Sequence, residues 1–167
     1  MAASEYSSTQ LLTTTINILP QKIKGDINKL LLSTIKKKYE GVCNKDGYVH
    51  KGSIELINRS IGKIKMIDNV SYIIYSITYR ANIISPSEGN KISCIISSNN
   101  KMGLIGYIKS SDSDTIKDSP FIIIIPREYF EDDIIDGIKE NDKIDVVIEN
   151  YRTKYLGKQI QIVAKPV

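Results

Sequence analysis

The sequence predicts an α+β, β-rich fold of two strand-built lobes, the second an OB-type barrel, with one long helix in the first. Three observations carry this. Isoleucine is abundant and tryptophan absent, and a branched side chain that is stiff at its first torsion suits a pleated sheet. AT-rich coding, which inflates Ile, Lys, Asn and Tyr together, is a second source of the same bias. Helical periodicity appears once, before residue 40, and strand-like periodicity fills the rest. A Pro- and Gly-containing break, "PSEGN" at 86–90, separates two strand runs and is the best domain boundary in the chain. The 167 residues, 41% of them hydrophobic, fit one ordinary domain or two small ones.

Residues 1–9 are small and polar and read as a disordered tail. "QLLTTTINIL" alternates loosely and ends at Pro20, as a strand would. "GDINKLLLSTIKKKYE" reads as a helix over 26–39. Asp26 is placed to cap it, and Ile27, Leu30, Leu31, Thr34 and Ile35 share a face. Lys36, Lys37 and Lys38 sit where the helix dipole favours cations. "GVC", "NKDG" and "YVHKGSIELI" read as a hairpin turned at Asp46-Gly47. "SIGKIKMI" and the long "VSYIIYSITYRANII" complete a first domain over 10–85. From 86 to 167, "KISCIISS", "LIGYI", "FIIII", "KIDVVIENY" and "KQIQIVA" give five strands. The longest insertions follow the second and third, the plan of a small OB barrel. The acidic "EDDIIDGIKEND" and the low-complexity "SSDSDTIKDS" are the insertions.

Net charge is +4, but it is unevenly spread. Pro20–Met66 carries eleven Lys and Arg against four Asp and Glu, and Ser110–Asp142 three against ten. Such asymmetry reads either as two solvated faces or as a basic half made for a partner. No window has the length of a membrane span, and the N-terminus lacks the pattern of a signal peptide. Cys43 and Cys94 read as reduced thiols of a cytosol or nucleus, with a single disulfide between them as the alternative. His50 is the only histidine. Without a base or nucleophile partner, zinc spacing or a phosphate-binding glycine loop, the expectation is a protein with no catalytic site, metal or cofactor.

Taken in order, several short motifs resemble the seventh-subunit, or stalk, family of eukaryotic RNA polymerase II and its archaeal counterpart, the stalk protein E-prime. The helix runs into Glu40, Gly41 and Cys43, then Gly47, Tyr48 and Val49. A strand follows with Tyr75, Ile77, Tyr79, Arg80 and Ala81, then Pro86 and Gly89, and then Asn100, Lys101, Gly103 and Leu104. The correspondence runs from about Leu11 to Ala164. It implies a truncated ribonucleoprotein-like tip domain followed by an OB-type RNA-binding barrel. The role it implies is a non-catalytic subunit of a multisubunit DNA-directed RNA polymerase. The tip docks on core polymerase subunits, with a companion stalk subunit as a further partner, and the barrel lies near nascent single-stranded RNA. The docking residues so placed are Gly41, Cys43, Gly47, Tyr48, Ile61, Gly62 and Lys63.

Barrels of this type usually carry a base-stacking aromatic on the second strand, where this chain has Leu104 and Ile105. Tyr107, on the same face as Ile105, is the remaining candidate. With Lys91, Lys101 and Arg127 it makes the expected RNA-contact set. The family setting implies the nucleus, and the AT-rich vocabulary suits a large cytoplasmic DNA virus, hence cytoplasm or virion. A free-standing OB-type RNA-binding or translation-associated factor is the alternative reading.

Overall fold

The one stretch with helical periodicity is the one long helix described in the computed structural model, which covers residues 6–109 and 115–167. Helix α1 spans Ile27–Tyr39. The Asp26 carboxylate accepts the Asn28 N–H at 2.9 Å and caps it, and Lys36, Lys37 and Lys38 occupy the last turn. Leu31, Ile35 and Tyr39, four residues apart, form the buried stripe. Ile27, Leu30 and Thr34, expected on that face, sit half-buried at its edge.

Strand accounts for 51% of the chain and helix for 15%, so the sheets decide the architecture. The chain divides into two compact units. One comprises Ser8–Glu40 and Val49–Ile83 and holds α1 with β1 (Ser7–Ile18), β4 (Glu55–Arg59), β5 (Lys63–Ile67) and β6 (Val70–Ile84). Strand β6 is hydrogen-bonded to β1, β4 and β5. Its alternating Tyr75, Ile77, Tyr79, Ala81 and Ile83 are buried with Leu31, Ile35 and Tyr39 of α1. Tyr39 stacks on Tyr79 with ring centroids 5.9 Å apart, and its hydroxyl shares a 2.7 Å hydrogen bond with Thr14.

The second unit takes in 1–7, Gly41–Tyr48 and Ile84–Val167. Strands β7 (Lys91–Asn100), β8 (Gly103–Tyr107), β9 (Phe121–Pro126), β10 (Lys143–Arg152) and β11 (Ile160–Pro166) close a barrel in the order β10-β11-β9-β8-β7. Neighbours are antiparallel except β9 and β11, which run parallel. The fold is therefore β-rich with a closed five-stranded barrel, consistent with an OB-type barrel. Alternate residues fill it: Ile92, Cys94 and Ile96 from β7, Phe121, Ile123 and Ile125 from β9, Ile160, Ile162 and Ala164 from β11. Register shifts at Ile96/Ser98 and Ile148/Asn150 supply the bends that closure of so small a sheet requires. Gly103 has φ +139°, and an added Cβ would lie 2.1 Å from the Ile125 carbonyl oxygen, so only glycine lets β8 start there. Between β9 and β10 the acidic segment forms a short helix, α2 (Asp132–Asp136), which buries Ile135 in the barrel core.

The structure differs from the expected layout in two places. Strand β1 starts at Ser7, inside the segment read as a tail, because the Ser/Thr-rich stretch is long enough to pair with β6. The hairpin of β2 (Cys43–Asn44) and β3 (Gly47–Val49) is assigned, through residue 48, to the barrel's unit and not to that of the helix. Cys43 and Tyr48 are the reason, because both are buried in the barrel core cluster. Residues 110–114 of the expected low-complexity loop lie outside the described residues.

Candidate docking ribbon and nucleic-acid interface

The seven residues expected at a docking surface divide between the two units. Gly41, Cys43, Gly47 and Tyr48 belong with the barrel. The Asn44 side-chain oxygen accepts the N–H groups of Asp46 and Gly47 and shapes the turn of their hairpin. Cys43 is 0% and Tyr48 5% exposed. Neither side chain offers surface to a partner, so Tyr48 is a core residue and not an interface anchor. The glycine-punctuated spacing suggested a docking loop, and its glycines instead serve a tight turn over the barrel.

Ile61, Gly62 and Lys63 do reach the surface, at the base of a two-stranded ribbon. Strands β5 and β6 pair from Lys63↔Ile74 to Ile67↔Val70. Asp68 and Asn69, both at positive φ (49° and 63°), make the hairpin turn that matches strand twist. Lys63, Ile64, Lys65 and Met66 are all exposed. Successive strand residues point to opposite faces, so both faces of the ribbon meet solvent. Ile61, Ile64 and Met66 are 84%, 81% and 67% exposed. These three are the most exposed large apolar side chains described in this unit. Their unit holds eleven Lys and Arg against four Asp and Glu, a net +7. The one ion pair described in it is Arg80–Glu55 at 3.4 Å. Gly62 plays a packing role: a Cβ there would meet Ile73 Cγ2 at 2.6 Å and Tyr75 Cζ at 2.9 Å. Arg59 lies over the Tyr75 ring at 5.8 Å.

Of the expected RNA-contact set only Lys101 and Arg127 come near one another, Arg127 N–H donating to Met102 O at 3.1 Å. Lys91 is exposed at the start of β7, and its carbonyl accepts the Tyr6 hydroxyl at 2.7 Å. Lys101 is exposed in the β7–β8 turn. Tyr107, at the other end of β8, is only 9% exposed and presents no open ring face. Leu104, at the place of the expected aromatic, is fully buried. Arg127 is held between Asp136 and Asp132 at 3.1 and 3.2 Å, so its charge is already matched. Those hydrogen bonds, that of Asp136 first, raise its pKa further.

What sequence reasoning passed over is the segment joining β10 and β11, "YRTKYLGKQ" at 151–159. Read as the end of one strand and the start of another, it concealed an interleaving of cations and aromatics, the usual signal of a nucleic-acid surface. Arg152, Thr153, Lys154, Gly157, Lys158 and Gln159, with Ile122 of β9 and Gln161 of β11, line a groove of about 550 Å3. That volume lies within the roughly 300–1,000 Å3 of ligand clefts. Arg152, Lys154 and Lys158 are exposed, and among the described residues no carboxylate pairs with them. Tyr155 and Tyr151 are 64% and 41% exposed.

Residues 153–159 do not dangle. Cys43 N–H donates to Gly157 O at 2.7 Å, and Leu156 N–H donates to Cys43 O at 2.8 Å. Gly157 N–H closes a turn on Lys154 O at 2.8 Å, with Leu156 at φ +59°. Gln159 Nε2 donates to the carbonyls of Ile116 and Ser119. The hairpin read as a docking element thus holds the basic loop in place.

Among the described residues, no group of His, Cys, Asp and Glu is arranged to hold a metal ion, and no helix is long and apolar enough to cross a membrane. Scans against protein-family models and curated proteins find no match to this chain. The fold defines the class: a β-rich, two-unit chain with a closed five-stranded barrel.

Proposed function

We propose that this chain is a non-catalytic stalk subunit of a multisubunit DNA-directed RNA polymerase. In this reading the helix-bearing unit is the truncated ribonucleoprotein-like tip and the barrel is the lobe beside the emerging RNA. The observation that carries it is the β5–β6 ribbon. Ile61, Ile64 and Met66 stand exposed, interspersed in sequence with Lys63 and Lys65, in a unit of net positive charge. A ribbon with Ile64 and Met66 on one face and Lys63 and Lys65 on the other suits a cleft with one apolar and one acidic wall, such as a large assembly supplies. The ordered motifs from Glu40 to Leu104 support the specific assignment to the stalk family, with core polymerase subunits as partners and a companion stalk subunit as a further one. The protein then works where its polymerase works, in the nucleus, or in the cytoplasm or virion for a viral enzyme.

The barrel alone supports a second reading, a free-standing OB-type RNA-binding or translation-associated factor. Affinity purification of the tagged full chain from its native cells separates the two. Co-purification of large polymerase subunits supports the stalk reading. Recovery of ribosomal subunits or free RNA in their place supports the other.

A further inference from the structure

We infer that the groove between the β10–β11 loop and strands β9 and β11 is a preformed site for single-stranded RNA, and that the β2–β3 hairpin positions it. This rests on the nucleic-acid side of the function proposed above and not on the polymerase partner.

Three observations converge on it. Arg152, Lys154 and Lys158 offer positive charge along one short loop that no carboxylate among the described residues pairs, whereas Arg127 is neutralised by Asp132 and Asp136. Single-stranded nucleic acid is held by cations that track phosphates and by aromatic faces that stack on bases. Tyr155 and Tyr151 do not line the groove, but as sequence neighbours of the lining residues Lys154 and Arg152 they supply exposed rings beside it, the property that buried Tyr107 lacks. Thr153, Gln159 and Gln161 add hydrogen-bonding groups to the groove wall. A double helix presents its bases edge-on inside a stack, so exposed rings on a small loop favour a single strand.

The third observation is rigidity. A loop ordered before binding loses less entropy on binding. Here the paired hydrogen bonds to Cys43 fix the loop's backbone at Leu156 and Gly157, and the Gln159 side chain ties its C-terminal end to the carbonyls of Ile116 and Ser119. Asn44, whose side chain shapes the hairpin turn, is therefore a positioning residue for a site it does not touch.

The test is a fluorescence-anisotropy titration of the full chain with a labelled oligouridylate of about 12 nucleotides, a length within the reach of one OB barrel, repeated across a salt series. Each phosphate contact adds about 0.7 to the slope of log K against log salt for a single strand. The triple variant Arg152→Gln, Lys154→Gln, Lys158→Gln should bind at least about tenfold more weakly at low salt, with the slope flattened by about 2. Tyr155→Ala should weaken binding about fivefold or more with an unchanged slope. Asn44→Ala should also weaken binding with an unchanged slope, because no cation is lost. Circular dichroism and melting curves confirm that each variant is folded. A wild-type chain that binds while the triple variant binds equally well places the RNA elsewhere and overturns this site. A wild-type chain that does not bind even at low salt removes the barrel's RNA role altogether, and polymerase co-purification then stands or falls separately. Weakened binding in the triple variant with none in Asn44→Ala keeps the groove and overturns the positioning role of the hairpin.

Discussion

Replacing Ile61, Ile64 and Met66 together by serine should leave the fold intact and abolish assembly. Full burial of such a side chain is worth about 1.5–3 kcal/mol. At 84%, 81% and 67% exposure, most of that has not been realised in the isolated chain. Each substitution should cost the fold no more than about 0.5 kcal/mol, the range of ordinary surface changes. In a docked complex the three side chains would bury the equivalent of roughly two more whole side chains, about 3–6 kcal/mol by the same area reckoning. The variant should therefore lose more than about a hundredfold in affinity for its partner. The assay pairs a thermal melt of the purified variant with co-purification of the large polymerase subunits. A melt within a few degrees of wild type and loss of those subunits is the expected result. Undiminished recovery would refute the reasoning, since it would show the bare apolar side chains to be incidental.

Gly62→Leu, by contrast, should destabilise the isolated chain, because the new side chain meets Ile73 and Tyr75; a lowered melting temperature checks this. Gly103→Ala should cost at least about 2 kcal/mol through its backbone conformation and the Ile125 carbonyl. A drop in melting temperature of about 4–8 °C is the readout. Burial pushes the Cys94 thiol up to about 12 and the Cys43 thiol to about 11, against an ordinary 9.0. Folding thus favours the neutral thiols, and that stability is complete below pH 9 and lost as pH rises through 11 to 12. The denaturation midpoint should stay level near neutrality and fall above pH 9, with Tyr48, also raised by burial, adding to the fall above its usual 10.0. The same burial should make both thiols slow to react with a thiol reagent at pH 8 until the chain unfolds.

The parts of the fold that periodicity reports were legible in the sequence. Asp26, the buried Leu31 and Ile35, and the terminal lysines announced α1, and five alternating runs with long insertions announced the barrel. Partnership between distant segments was not legible. Nothing in "GVCNKDGY" says that Cys43 and Tyr48 are buried in a barrel whose strands start more than forty residues later. The same stretch therefore looked like a surface element. Nor does local reading show that Arg127 is matched by acids five and nine residues on, or that the Tyr107 ring is covered, since both depend on packing. The loop at 151–159 was readable in principle, because its cations and tyrosines alternate within nine residues. Its strand-like flanks drew attention away from it.

The central claim is tested most directly by cross-linking mass spectrometry on complexes recovered with the tagged full chain from its native cells. Lys63 and Lys65 on β5 are exposed and suit amine-reactive reagents. The account predicts cross-links from these two lysines to the large subunits of an RNA polymerase, and their loss in the Ile61, Ile64, Met66 variant. Complexes containing ribosomal proteins or RNA without any large polymerase subunit would contradict it.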